Sequence, residues 1–187
     1  AAKVTGIDLS SNMIQLSNQR ASYRNSKVQF ILGDCTQMEF EPESFNLIYS
    51  RDSLLHVQDK TTLFQKIKDW LKPSGKVLIT DYCCGSSDWS REFSDYVQKR
   101  NYTLHDVQTY KHLLEKSGLK IIQGYDNTKR FVVALEAELQ HLISMKEEFL
   151  QNFTQHDYED LIQGWEKKIT RAKQGYQKWG CFYAKKN

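Results

Sequence analysis

Apolar positions along the chain switch between short continuous runs and a spacing near 3.6, the alternating marks of strands and helices. Val4–Leu9 reads as a strand, and Ser10-Ser11-Asn12 sets an N-cap for a helix over Met13–Ser22. Val28–Leu32 is a second strand closing at Gly33-Asp34, and Phe45–Ser50 is a third. A helix from about Lys60 to Leu71 stops at Pro73-Ser74-Gly75, and Val77–Tyr82 is a fourth strand. Trp89–Arg100 and His105–Lys116 read as helices, with Gly118 ending the second. Leu119–Gly124 is a fifth strand. A long amphipathic stretch, about Lys129–Asn152, puts Phe131, Leu135, Leu139, Leu142 and Phe149 near one face, which is expected to pack into a core. Thr154 opens a helix over about Gln155–Lys173, and Gly180–Ala184 is a sixth strand. Strands alternating with helices predict an α/β protein with a largely parallel sheet.

Composition narrows the class. The 187 residues are one domain's worth, expected to span 1–187, and 40% of them are hydrophobic against 26% charged. Nine glycines and two prolines leave no room for low-complexity linkers. No apolar run approaches the roughly 18 residues that a membrane helix needs. The net charge of +3, with no block of basic residues, gives no reason to expect nucleic acid as a partner. Cys35, Cys83, Cys84 and Cys181 lack C-x-x-C spacing, which predicts reduced thiols and a cytoplasmic setting. The five histidines show no metal-ligand spacing, so no metal is expected. The chain opens on Ala1 already inside a strand pattern, and an N-terminal truncation is expected from that.

In open α/β sheets, ligands gather at the carboxyl ends of the strands, where an acid hydrogen-bonds ribose hydroxyls. Asp8 and Asp34 each sit at such an end, and two in register followed by Phe45–Ser50 are a better signal than one. No G-x-G-x-x-G, Walker loop, H-E-x-x-H or G-x-S-x-G occurs.

Gly6-Ile7-Asp8-Leu9-Ser10, Gly33-Asp34-Cys35 and Phe45–Asp52 together resemble the class I S-adenosylmethionine (SAM)-dependent methyltransferases. Tyr49-Ser50-Arg51-Asp52-Ser53-Leu54-Leu55-His56 resembles, more narrowly, the phosphoethanolamine N-methyltransferases. So do Trp70–Pro73, Leu78–Cys83, Tyr96–Tyr102 and the tail from Gly164-Trp165 to Lys178-Trp179-Gly180. The likeness covers essentially the whole chain, except that the family's glycine-rich SAM loop would lie before Ala1. It implies a Rossmann-like sheet with flanking helices, here lacking its first strand and glycine loop. It also implies transfer of methyl groups from SAM to phosphoethanolamine or its mono- and dimethyl forms, ending at phosphocholine.

The resemblance also assigns residues. Asp52 and His56 correspond to a catalytic acid–histidine pair, and their i, i+4 spacing is expected to set both on one face of a helical turn. Asp8, Leu9, Asp34, Cys35 and Arg51 fall at the SAM site. Tyr82, Tyr96, Arg100, Tyr102 and Lys168 fall at the substrate phosphate, a dianion that needs cations and hydroxyl donors. A base is needed because an ammonium has no lone pair with which to attack a methyl group.

Plant-like relatives carry two methyltransferase domains, and this chain resembles the C-terminal one, so a second domain is an expected partner. The alternatives are a methyltransferase for another small acceptor and a non-catalytic interaction domain of a tandem protein; retention of the phosphate residues and of Asp52 and His56 argues against them. The 187-residue polypeptide by itself is expected to bind SAM weakly, to transfer no methyl group and to be poorly soluble, because unpaired strand edges promote aggregation.

Overall fold

The computed structural model describes residues 2–85 and 88–187. They form two compact units, 1–42 and 43–187. In the first, β1 (Thr5–Asp8) pairs in parallel with β2 (Gln29–Leu32), joined by α1 (Ser11–Tyr23). The Ser10 hydroxyl accepts the Met13 N–H and caps α1, as the Ser-Ser-Asn run predicts.

The second unit holds a four-stranded sheet of order β3-β4-β6-β5. Its strands are β3 (Phe45–Arg51), β4 (Leu71–Cys84), β5 (Leu119–Asp126) and β6 (Gln177–Lys186). The helices are α2 (Lys60–Trp70), α3 (Arg91–Lys99), α4 (Val107–Lys116), α5 (Thr128–Ser144), α6 (Lys146–Phe149) and α7 (Gln155–Lys173). The expectation of a largely parallel sheet is met, with one exception. β3, β4 and β5 share one direction, and β6 is the one reversed strand of this sheet, entering antiparallel between β4 and β5. The hydrophobic period reveals that a segment is a strand but not which way it points.

Two element boundaries also differ from the sequence reading, for local reasons. The fourth strand begins at Leu71, which pairs with Phe45; an irregularity follows before the ladder resumes at Leu47 and Lys76. The long helix breaks at Met145. The Ser144 hydroxyl donates to the His141 carbonyl at 2.7 Å and competes with the helical ladder. Phe131, Leu135 and Leu139 are buried against Ile169 and Ala172 of α7, which is the core role expected of that stripe. α7 itself matches its expected span and starts with a complete capping box between Thr154 and Asp157.

Asp81 lies at the centre of the sheet, fully buried. Its carboxyl accepts the Leu55 N–H at 3.1 Å and the Tyr110 hydroxyl at 3.1 Å, tying β4 to the 3₁₀ turn Leu54–His56 and to α4. Gly180 is its cross-strand neighbour on β6. A Cβ at Gly180 would lie 2.5 Å from the Phe182 ring and 2.8 Å from Cys83 Sγ, so only glycine fits. Lys60, also buried, donates from Nζ to the carbonyls of Val57 at 2.9 Å and Thr103 at 2.7 Å. Burial pushes the Asp81 carboxyl up to about 7, against the pull of the Lys60 charge.

That shift has a signed consequence. An unfolded Asp ionises near pH 3.9. Between there and about 7 the folded chain holds the extra proton, so this group's contribution to stability falls as pH rises. Asp81→Asn cannot ionise. It should therefore gain on the wild type progressively from about pH 4 to 7, by on the order of 1–4 kcal/mol, and level off above. Urea melts of both proteins across that range are the measurement; a constant difference would remove the buried carboxyl as the cause.

Candidate active site

Asp52 follows the carboxyl end of β3, Tyr82 lies near that of β4, and α3, α7 and β6 bring the other candidate residues beside them. β3 ends on Arg51, which is exposed, and Asp52 follows with φ at +51°. An Asp tolerates this left-handed conformation better than most residues, at some cost. Two contacts hold it: its N–H donates to the Thr80 carbonyl at 2.8 Å, and its Oδ1 accepts the Trp179 indole N–H at 2.7 Å. The indole is itself stacked on Phe131, with ring centroids 5.4 Å apart. Burial raises the Asp52 pKa, while the Trp179 hydrogen bond and the charges of Arg51 and Lys168 draw it back.

His56 closes the 3₁₀ turn, with its ring edge-on to Tyr102 at 5.0 Å. The expected arrangement of Asp52 and His56 on one helical face is not found. The turn begins at Leu54 and Asp52 lies outside it, so the i, i+4 geometry does not apply. Among the described residues it is Trp179, not His56, that engages the Asp52 carboxyl.

The five residues expected to hold a phosphate come together around the same rings. Tyr96 and Tyr102 meet edge-to-face at 5.7 Å. The Arg100 guanidinium lies 6.0 Å from the Tyr96 ring, and the Lys168 ammonium lies 5.8 Å from the Tyr82 ring and 4.6 Å from that of Trp165. Burial raises the pKa of Tyr82, helped by the Asp52 charge, and raises that of Tyr102. Both phenols therefore stay protonated as hydroxyl donors at neutral pH. Burial lowers the Lys168 pKa, and the Arg171 charge beside it lowers it further.

Arg171 is one residue that reading the sequence missed. It is buried, with its guanidinium carbon 3.8 Å from the centroid of Tyr96. Its position three residues after Lys168 on α7 was the available signal, but 26 lysines and arginines make such pairs common. Trp179 had no signal at all, since 127 positions separate it from Asp52.

In the first unit, Asp8 ends β1 and Asp34 follows β2, so two acids stand at the carboxyl ends of adjacent parallel strands. Asp8 is exposed, and its Oδ1 accepts the Ser10 N–H at 2.8 Å. Asp34 Oδ1 takes both the N–H and the hydroxyl of Thr36 at 2.8 Å. Each carboxylate thus has one oxygen committed to its own turn and a second with no partner among the described residues, an acceptor that fits a ribose hydroxyl or an adenine amino group. Leu9 is 70% exposed beside Asp8. Burial raises the pKa of the Cys35 thiol, followed by the Asp34 charge, so the thiol stays neutral. Among the described residues no cluster of three His, Cys, Asp or Glu is placed to hold a metal.

Known proteins similar to this chain include methyltransferases. A family model described as a methyltransferase domain matches residues 1–79. Phosphoethanolamine N-methyltransferase 3 of Arabidopsis thaliana is 46% identical over 98% of this chain, which spans 38% of that protein's length. The phosphoethanolamine N-methyltransferase of Plasmodium falciparum is 41% identical over 100% of the chain, which spans 71% of it. A solved structure of Haemonchus contortus phosphoethanolamine N-methyltransferase 2, in complex with phosphomonomethylethanolamine and S-adenosylhomocysteine, superposes with a TM-score of 0.94 at 35% identity, covering 98% of this chain and 43% of the other. The α/β fold with its mixed sheet is the class I SAM methyltransferase fold, and the chain belongs to the phosphoethanolamine N-methyltransferase family.

Proposed function

We propose that the chain is a single SAM-dependent N-methyltransferase domain, made of both units, acting on phosphoethanolamine or its mono- and dimethyl forms. The observation that carries this is the convergence of Arg100, Lys168 and three tyrosines beside Asp52 and His56. Cations and phenols suit a phosphate at one end. A carboxylate and an imidazole suit an amine at the other. The ligands of the Haemonchus enzyme, a methylated phosphobase and S-adenosylhomocysteine, have these chemistries. Asp8, Leu9, Asp34, Cys35 and Arg51 are the residues assigned to the SAM side. SAM supplies an electrophilic methyl group on a sulfonium, and no metal enters the proposal.

What falls to this chain is proton handling and orientation. A primary ammonium with a pKa near 10.4 is almost wholly protonated at pH 7, and freeing its lone pair costs about 4–5 kcal/mol. His56 is assigned as the group that takes this proton. Asp52, already engaged by Trp179, is assigned to draw the amine in by charge rather than to orient the imidazole; Tyr102 packs against the imidazole instead. The hydroxyls and cations around Tyr96 hold the phosphate, so that the nitrogen sits in line with the methyl group. The four free thiols suit a cytoplasmic setting. Among the described residues no helix is long and apolar enough to cross a membrane. Likeness to plant proteins of more than twice this length supports a second methyltransferase domain as partner.

Three experiments test this reading. His56→Ala should lower kcat by about 10²–10⁴-fold, the span expected for losing a general base, with SAM affinity little changed. Turnover against pH is the assay, and an unaltered rate at pH 7 removes His56 from the mechanism. Arg100→Lys keeps the charge but loses the planar fork, and Lys168→Ala removes a point charge; both should chiefly raise KM. Phosphoethanolamine compared with ethanolamine tests the phosphate assignment. Equal use of both by the wild type would exclude it.

A further inference from the structure

We propose that Arg171 is a specificity-determining residue: a buried, deliberately unneutralised cation that makes the site select a doubly charged phosphate monoester over singly charged anions. The proposal rests on the reading of Arg100, Lys168 and the tyrosines as a phosphate site.

Arg171 is 8% exposed, yet among the described residues it has no carboxylate partner. Burying a charge is costly unless it is paired and hydrogen-bonded. The other two buried charges feel each other and are hydrogen-bonded: Lys60 spends its ammonium on two carbonyls, and Asp81 its carboxyl on an N–H and a hydroxyl. An acid is at hand on the neighbouring helix. Glu136 of α5 pairs at 2.6 Å with Lys173, a more exposed residue two positions further along α7. The buried guanidinium goes without.

It is nevertheless held in place. Its Nε donates to Gln177 Oε1 at 3.2 Å, and its plane sits over Tyr96. Gln177 is 1% exposed, and with its oxygen turned to Arg171 its Nε2 has no partner among the described residues. A buried donor left unsatisfied is rare and calls for a reason. Here the reason is orientation: β6 gives up a hydrogen bond to aim a cation that has no anion. The two terminal nitrogens of the fork are left without a described protein acceptor, which is the bidentate end that matches phosphate.

Charge counting gives the selectivity. Arg171 and Lys168 stand three residues apart on one helix face, and Arg100 approaches the same Tyr96 ring. Asp52 and Glu138 partly offset the Lys168 charge, but neither guanidinium has a carboxylate partner among the described residues, and two unpaired guanidiniums are a surplus that a monoanion cannot cancel. A dianion comes closer to doing so, and each cation then gains a charge-assisted contact.

The test is calorimetric titration at pH 8, where a phosphate monoester is a dianion. Phosphoethanolamine is compared with its methyl phosphodiester, a monoanion of nearly the same shape. The wild type should prefer the monoester. Arg171→Met should weaken monoester binding about tenfold or more while moving the diester less than about threefold, so that the preference shrinks. Gln177→Leu keeps the charge but removes its strut and the orphaned amide. It should fold at least as well as the wild type and still lose part of the preference. A purely structural role for the pair predicts lower melting temperatures with the preference intact, and that result would overturn the proposal. A wild type that prefers the monoester, with both variants preferring it equally, overturns the role of Arg171 alone. A wild type that does not prefer the monoester overturns the phosphate reading beneath it.

Discussion

Asp81 is where the sheet and the site meet. One buried carboxyl accepts from the turn that ends in His56 and from the helix that carries Tyr110, whose ring stacks on Phe182 of β6 at 4.3 Å. The turn is linked onward. Leu55 uses its N–H on Asp81 and its carbonyl on the Thr103 N–H at 2.8 Å. Thr103 follows Tyr102, and its own carbonyl is taken by Lys60. The imidazole and the tyrosine beside it are therefore spaced by a chain of hydrogen bonds that starts at a fully buried carboxyl. Such a network confers geometry more than stability, because two buried charged groups recover little beyond their desolvation.

The site runs on the opposite principle. Where Asp81 and Lys60 are each hydrogen-bonded twice, Asp52 is held in a conformation that most residues avoid, and Arg171 has no counter-charge among the described residues. These are local costs carried by a well-packed surround: the Phe131–Trp179 stack, the α5–α7 seam, and the cluster of Phe93, Val97 and Cys84 beneath Tyr96 and Tyr102. Preorganised polar groups surrounded by rigid apolar packing are what a site must have if its electrostatics are to be ready before the ligand arrives.

Much of this could be read along the chain, but unevenly. α7 was legible because Thr154 and Asp157 cap it, which is a local signal. The Phe131-Leu135-Leu139 stripe was legible because helical period and burial coincide. The direction of β6 was not, since pairing partners lie some hundred residues away and period 2 carries no sense of direction. In the site, motif likeness named Asp52, His56 and the tyrosines, whereas the spacing argument about Asp52 and His56 failed. A positive φ at an Asp leaves no trace in spacing. Trp179 and Arg171 acquire their meaning only from what they touch across the fold.

The strand that carries Trp179 and Gln177 lies between two strands made before it. On the ribosome, β4 emerges with one edge bare, β5 follows with no neighbour beside it, and only the later arrival of β6 joins them. At ordinary elongation rates the interval from β4 to β6 is about 5–20 s. During that time the Asp52 carboxyl has no indole to hold it and Arg171 has no strut. Nascent chains thus carry an exposed sheet edge for the whole of that interval, and the demand this places on chaperones is set by topology rather than by the stability of the finished fold.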